Sequence, residues 1–140
     1  MIICEYKPSD KLTIKRFIAS NLQDIFNSKA KNLDDVDDIP KNFELFLIAK
    51  ENKTIIGTAG LKDENGTARI SRMYVQKELR GKGIGKELLK RLLGYCKGKF
   101  SRVILSTYPR MNAIDFYEKM GFRVFKRDER IWMEKSVGLL

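Results

Sequence analysis

Histidine is absent from the 140 residues. Imidazole can therefore be neither general base nor metal ligand, which excludes every catalytic triad built on it. Any acid–base work falls to carboxylates, tyrosine, lysine or water. Cysteine occurs twice, at Cys4 and Cys96. The two are far apart and make no metal-ligand spacing, so they read as reduced, buried thiols and no metal is expected. Three prolines and no low-complexity tract set disorder aside. The longest apolar run is only Leu45 to Ala49, and Met1 to Asp10 lacks a basic stretch leading into an apolar one. No signal peptide or membrane span is expected, and the expected location is cytoplasmic.

What is abundant is positive charge, and it is unevenly placed. The net charge is +10; residues 1–66 carry 10 basic and 11 acidic side chains, whereas residues 67–140 carry 18 and 7. The second half must meet anions, and a nucleic-acid backbone or a polyphosphorylated small molecule would satisfy it.

The length suits one domain over residues 1–140 with one core. Ile2, Cys4 and Tyr6 alternate as a short strand, and Pro8-Ser9-Asp10 supplies a helix start. Ile14, Phe17, Ile18, Leu22, Ile25 and Phe26 then recur at helical spacing to about Asn27. A polar loop with four aspartates, Asn32 to Pro40, is expected to be solvated. Phe43–Ala49, Thr54–Leu61 and Thr67–Val75, joined by turns at Glu51-Asn52-Lys53 and Asn65-Gly66, predict three antiparallel strands. Ile84, Leu88, Leu89, Leu92, Leu93 and Cys96 share one helix face, with Glu87 and Arg91 expected to pair on the wet side. Arg102–Tyr108 predicts a strand, followed by Pro109 and a short helix that Asn112 would cap. Ala113, Phe116, Tyr117 and Met120 form its buried face, and a hairpin across Arg127-Asp128-Glu129 ends the chain. A helix between Val75 and Arg102 makes those strands parallel, so the fold class is α/β (α+β). It would hold a mixed, mostly antiparallel twisted sheet of about seven strands, with helices on both faces.

The segment richest in chemistry is Arg80-Gly81-Lys82-Gly83-Ile84-Gly85, between a strand and a helix start. The first turn of a helix leaves backbone N–H groups unpaired and carries positive partial charge, so phosphate oxygens bind there. Glycines let those oxygens approach, Lys82 and Lys86 add charge, and Arg80 offers a planar fork. The Walker pattern needs Ser or Thr after Gly-Lys, and a dinucleotide fingerprint needs glycine at the position of Lys86; neither fits.

The pattern that remains is R-x-x-G-x-G after Ile70-Ser71-Arg72-Met73-Tyr74-Val75. With Asn112-Ala113 through Phe116-Tyr117-Glu118-Lys119-Met120-Gly121-Phe122, it resembles the GNAT superfamily of N-acetyltransferases from about Asp63 to Lys126. The resemblance implies a GNAT-like domain that moves an acetyl group directly from acetyl-CoA to a primary amine. Backbone groups of Met73 and Val75, flanking Tyr74, would hold the pantetheine arm. The backbone from Arg80 through Gly81, Lys82, Gly83, Ile84 and Gly85 to Lys86 would receive the pyrophosphate. Asn112 would reach the pantetheine or thiol end, and Tyr117 would give a proton to the leaving thiolate. On spacing alone Tyr117 reads as a core aromatic; Asn112 also reads as a helix cap, and the other reading of Arg80 and Lys82 is a solvated basic turn.

Several members of that family place a glutamate on the fourth strand as base. Here Thr67-Ala68-Arg69-Ile70-Ser71 has no carboxylate, which leaves Glu44, Glu64 and Glu134 as candidates acting through water. Asp34, Asp35, Asp37 and Asp38 suggest a cationic acceptor. A homodimer is compatible with the resemblance, and no nucleic acid or membrane partner is expected. The alternatives are a non-catalytic acyl-CoA-binding regulatory domain and a basic nucleic-acid-binding module.

Overall fold

Strand β2 (Leu45–Glu51) buries both of its faces, because Leu47 and Ala49 go to one apolar cluster and Phe46 and Ile48 to another. A strand flanked by two hydrophobic layers belongs to a sheet covered on both sides. The computed structural model describes residues 1–27 and 32–138. It shows seven strands in the order β1-β2-β3-β4-β5-β7-β6: β1 (Ile2–Glu5), β2, β3 (Thr54–Glu64), β4 (Thr67–Val75), β5 (Arg102–Thr107), β6 (Arg123–Arg127) and β7 (Ile131–Ser136). All neighbours run antiparallel except β4 and β5. The expected mixed sheet is therefore present. No helix among the described residues is long and apolar enough to cross a membrane.

One face is covered by α1 (Lys11–Phe26), whose Ile14 and Ile18 are fully buried. The other is covered by α4 (Ile84–Cys96), whose Leu88, Leu89, Leu92 and Cys96 are fully buried, and by α5 (Ile114–Lys119). Burying each leucine removes apolar surface worth about 1.5–3 kcal/mol from water, which fixes α4 across the sheet. The tight turns use the left-handed backbone expected of them: Asn52 and Lys53 have φ of 51° and 70°, and Asn65 and Gly66 have 54° and 92°.

Four local expectations are corrected. The acidic stretch is not a solvated loop: α2 (Asp34–Asp37) and α3 (Ile39–Asn42) insert Val36 and Ile39 into the core under α1. Glu87 pairs with Lys90 rather than Arg91, whose guanidinium donates to Ile3 O in β1. Asn112 does not cap α5; at φ 51° it closes the 3-10 turn Pro109–Met111, and Ala113 is the N-cap. The last turn lies one residue later than expected, at Asp128–Arg130.

Candidate active site

Parallel pairing of β4 with β5 is limited to Ala68↔Val103 and Arg69↔Ile104. Beyond Arg69 the strands part, and the rest of β4 faces a gap. Gln76 N–H donates to Ile56 O on β3. Alternation along the strand therefore turns the peptide groups of Val75 and Met73 the other way, into the gap.

A bulge sharpens this geometry. Thr58 pairs with Tyr74 but Gly60 with Ser71, so β4 spends one extra residue, and Arg72 there has φ 56°. A left-handed non-glycine residue costs on the order of 1 kcal/mol or more and persists only when its surroundings hold it. Here Thr58 Oγ1 donates to Arg72 O (2.8 Å). The Arg72 guanidinium forks onto Asp35 (2.9–3.3 Å), which also takes Lys62 Nζ (3.2 Å). Desolvation pushes the Asp35 carboxyl up, but the Arg72 and Lys62 bonds and charges outweigh it and hold the group below the ordinary carboxylate range. At Gly60 an added Cβ would lie 2.5 Å from the Phe43 ring and 2.9 Å from Ser71 O, so glycine is required for close packing against the bulge.

The glycine-rich turn leads from β4 into α4 as expected. Gly81 and Gly83 have φ of 78° and 91° with open space around them, so they serve the chain reversal rather than relieving a clash. The first bond back into the turn is from Glu87 N–H to Gly83 O. Among the described residues, the amides from Gly81 to Lys86 have no backbone acceptor, and they lie at the positive end of α4. Arg80 departs from expectation. Its Nε–H donates to Val75 O (3.0 Å) and an Nη2–H to Asn21 Oδ1 (2.9 Å), so its fork braces the turn against β4 and α1.

The turn forms one wall of a cleft of about 720 Å³. Met73, Tyr74, Val75, Arg80, Gly81, Gly83, Ile84, Gly85, Lys86, Asn112 and Tyr117 all line it; of the expected residues only Lys82 does not. Tyr117 lies where this lining is shared with a second cavity. Its ring is buried, edge-on to Phe116 and Phe122, while its hydroxyl donates, among the described residues, only to Met73 Sδ at 3.7 Å, a weak acceptor. Burial pushes the Tyr117 phenol far up, so it keeps its proton throughout the neutral range.

A second cavity of about 570 Å³ meets the first at Met73, Tyr74, Met111 and Tyr117. Among the described residues its charged lining is Lys62, Arg69, Arg72 and Arg130 against the one carboxylate of Asp35. None of Glu44, Glu64 and Glu134 lines either space. Glu44 accepts from Tyr95 OH, Glu64 from Arg69, and Glu134 from Arg102 and Arg123. Of the four aspartates behind the expected cationic acceptor, Asp35 alone lines this cavity, and it is engaged by Arg72 and Lys62; Asp37 pairs with Lys15, and Asp38 accepts from Lys41 N–H. The sequence reading missed Asn21 and Arg130. Asn21 was legible as a polar residue inside the apolar stripe of α1, now 4% exposed. Arg130 left no signal, because its place depends on how the last hairpin docks beside β5.

Known proteins agree with this geometry. The model of the acetyltransferase (GNAT) family matches residues 15–122. An IAA acetyltransferase of Azospirillum brasilense is 30% identical over 105 residues, covering 72% of this chain and 69% of that protein. A GNAT-family acetyltransferase structure from Staphylococcus aureus Mu50 superposes with a TM-score of 0.87 at 28% identity, covering 97% of this chain and 98% of that one. The PaiA N-acetyltransferase of Thermoplasma acidophilum, crystallised with coenzyme A, shares the fold with a TM-score of 0.82 at 22% identity, covering 96% and 98%. With a bulged, splayed β4, an amide-lined turn and a family match over most of its length, the chain belongs to the acetyltransferase (GNAT) family and is an acyltransferase.

Proposed function

We propose that this chain transfers an acetyl group from acetyl-CoA directly to a primary amine, with no covalent enzyme intermediate. The observation that carries the reading is the run of amides from Gly81 to Lys86, without backbone partners among the described residues, in the wall of a cleft that Tyr117 also lines. Both features fit the co-substrate chemically. Free amides at a positive helix end suit a diphosphate, and a buried phenol bonded to a thioether is ready for a better acceptor. The coenzyme A held by the Thermoplasma acidophilum protein supports the same reading.

Bound here, acetyl-CoA would supply an acetyl group already activated as a thioester. The amides from Gly81 to Lys86 would hold the diphosphate, with Lys82 and Lys86 adding charge from the rim. The peptide groups of Met73 and Val75, turned into the gap, would hold the pantetheine arm beside Tyr74, and Asn112 would steady its far side. Gly85 also lines the cleft, where an added Cβ would meet Phe116 and Val75 at an ordinary contact distance of 3.6 Å. Tyr117 would hydrogen-bond the departing sulfur. An ordinary thiol titrates near about 8.5, well below this raised phenol, so Tyr117 stabilises the sulfur chiefly by sharing its proton.

The acceptor enters from the second cavity. An alkylammonium of pKa about 10 must lose its proton first. With Asp35 tied to Arg72 and Lys62, that proton leaves through water in the open cavity. A cytoplasmic setting is part of this reading and accords with the two free thiols of Cys4 and Cys96. The test is a panel of amines mixed with acetyl-CoA and the intact chain, following free thiol and acetylated amine. Amine-dependent release of both supports the proposal; thiol release indifferent to added amine refutes it.

A further inference from the structure

The acceptor cavity is positively charged, and its charges are not evenly answered. Asp35 is shared by two cations, Arg72 and Lys62. Arg69 is answered by Glu64, which lies outside the cavity and is 43% exposed. Arg130 has no carboxylate partner among the described residues. Its guanidinium is nonetheless held at the cavity wall, donating to Ser106 Oγ (3.4 Å) and lying over the Tyr108 ring at 5.3 Å. A half-buried guanidinium with its charge unanswered, in a concave wall shared with Phe26 and Leu105, attracts an oxyanion more strongly than an exposed one would. The same wall repels a polyamine or a lysine-rich peptide.

From this juxtaposition we infer that the acceptor is a small amine that also carries an oxyanion, a carboxylate or a phosphate, seated against Arg130 while the amine reaches the junction at Met73 and Tyr117. The inference rests on the acetyl-transfer reading and narrows it to a substrate class. A cavity of about 570 Å³ suits such a molecule. Arg130 is then a specificity residue, fixing which amines are oriented and taking no part in bond making.

Calorimetric titration of the full chain with matched pairs tests this without turnover: L-phenylalanine against phenethylamine, O-phosphoethanolamine against ethanolamine, and spermidine alone. The anionic member of at least one pair should bind about tenfold or more tighter, as expected of a charge-assisted guanidinium bond, and the pair that shows it identifies carboxylate or phosphate. In Arg130→Gln that ratio should shrink to within about twofold, and Arg130→Lys should recover part of it. Coenzyme A should raise the melting temperature equally in all three proteins. Equal binding within both pairs, tighter binding of spermidine, or a ratio that survives Arg130→Gln overturns the inference. An anion preference with no thiol release from any amine would support this site while refuting acetyl transfer.

Discussion

Replacing Tyr117 by phenylalanine separates a catalytic hydroxyl from a packing ring. The ring is 8% exposed and its edge contacts to Phe116 and Phe122, at 5.0 and 5.8 Å between centroids, are open to phenylalanine as well. The hydroxyl is the only group lost, and its recorded partner is Met73 Sδ at 3.7 Å. A good neutral hydrogen bond contributes about 0.5–1.5 kcal/mol, and a long bond to a thioether less, so folding stability should change by under about 1 kcal/mol. At the sulfur the same hydroxyl meets developing negative charge in a dry pocket. Removing one such preorganised donor costs about 10²–10³ in kcat, or roughly 2.7–4 kcal/mol. Initial rates of thiol release, the melting temperature and coenzyme A affinity should be measured on the same preparation. The reasoning predicts a rate loss of that size with the other two nearly unchanged. A kcat within threefold of the parent, or a loss matched by an equal loss of coenzyme A affinity, would refute it. Because burial holds the phenol protonated, Tyr117 should cause no fall in rate up to about pH 10.

Three further outcomes are expected. Asp35→Asn, measured by urea unfolding, should cost about 1–3 kcal/mol at neutral pH, since it unpairs Arg72 and Lys62 at the bulge. The folded Asp35 carboxyl titrates below its unfolded value of about 3.9, so its contribution is full above that pH and is lost as pH falls through the lower folded value; the difference between parent and variant should therefore vanish toward strong acid. Gly60→Ala should lower the unfolding free energy by about 1–3 kcal/mol, read from denaturant unfolding, because its Cβ meets the Phe43 ring and Ser71 O. Replacing both Cys4 and Cys96 by alanine should leave acetyl transfer intact, since the Cys96 thiol is buried and pushed up to about 11 by desolvation and neither thiol lines the cleft; loss of turnover in the folded double variant would contradict direct transfer.

Much of this architecture was legible because it rests on local chemistry. Left-handed turns at Asn52-Lys53 and Asn65-Gly66 announce hairpins, and the leucine stripe of α4 announces a helix that must cover a sheet. The glycine-rich turn could be read because positive φ at Gly81 and Gly83 is a demand of the backbone itself. Long-range partnerships were not readable. Asp35 meets Arg72, 37 positions on, only after β4 bulges, and nothing in an arginine's propensity announces φ 56°. Charge also hid α2 and α3, because four aspartates outweigh Val36 and Ile39 in any composition-based reading. For Arg80 the sequence supplied the right side chain at the right turn, but its partner Asn21 lies 59 positions away.

A crystal structure of the chain with coenzyme A tests the central claim most directly. It should show diphosphate oxygens within hydrogen-bonding distance of backbone amides between Gly81 and Lys86, and the thiol sulfur next to the Tyr117 hydroxyl. Coenzyme A bound elsewhere, or seated with its sulfur remote from Tyr117, would contradict the account.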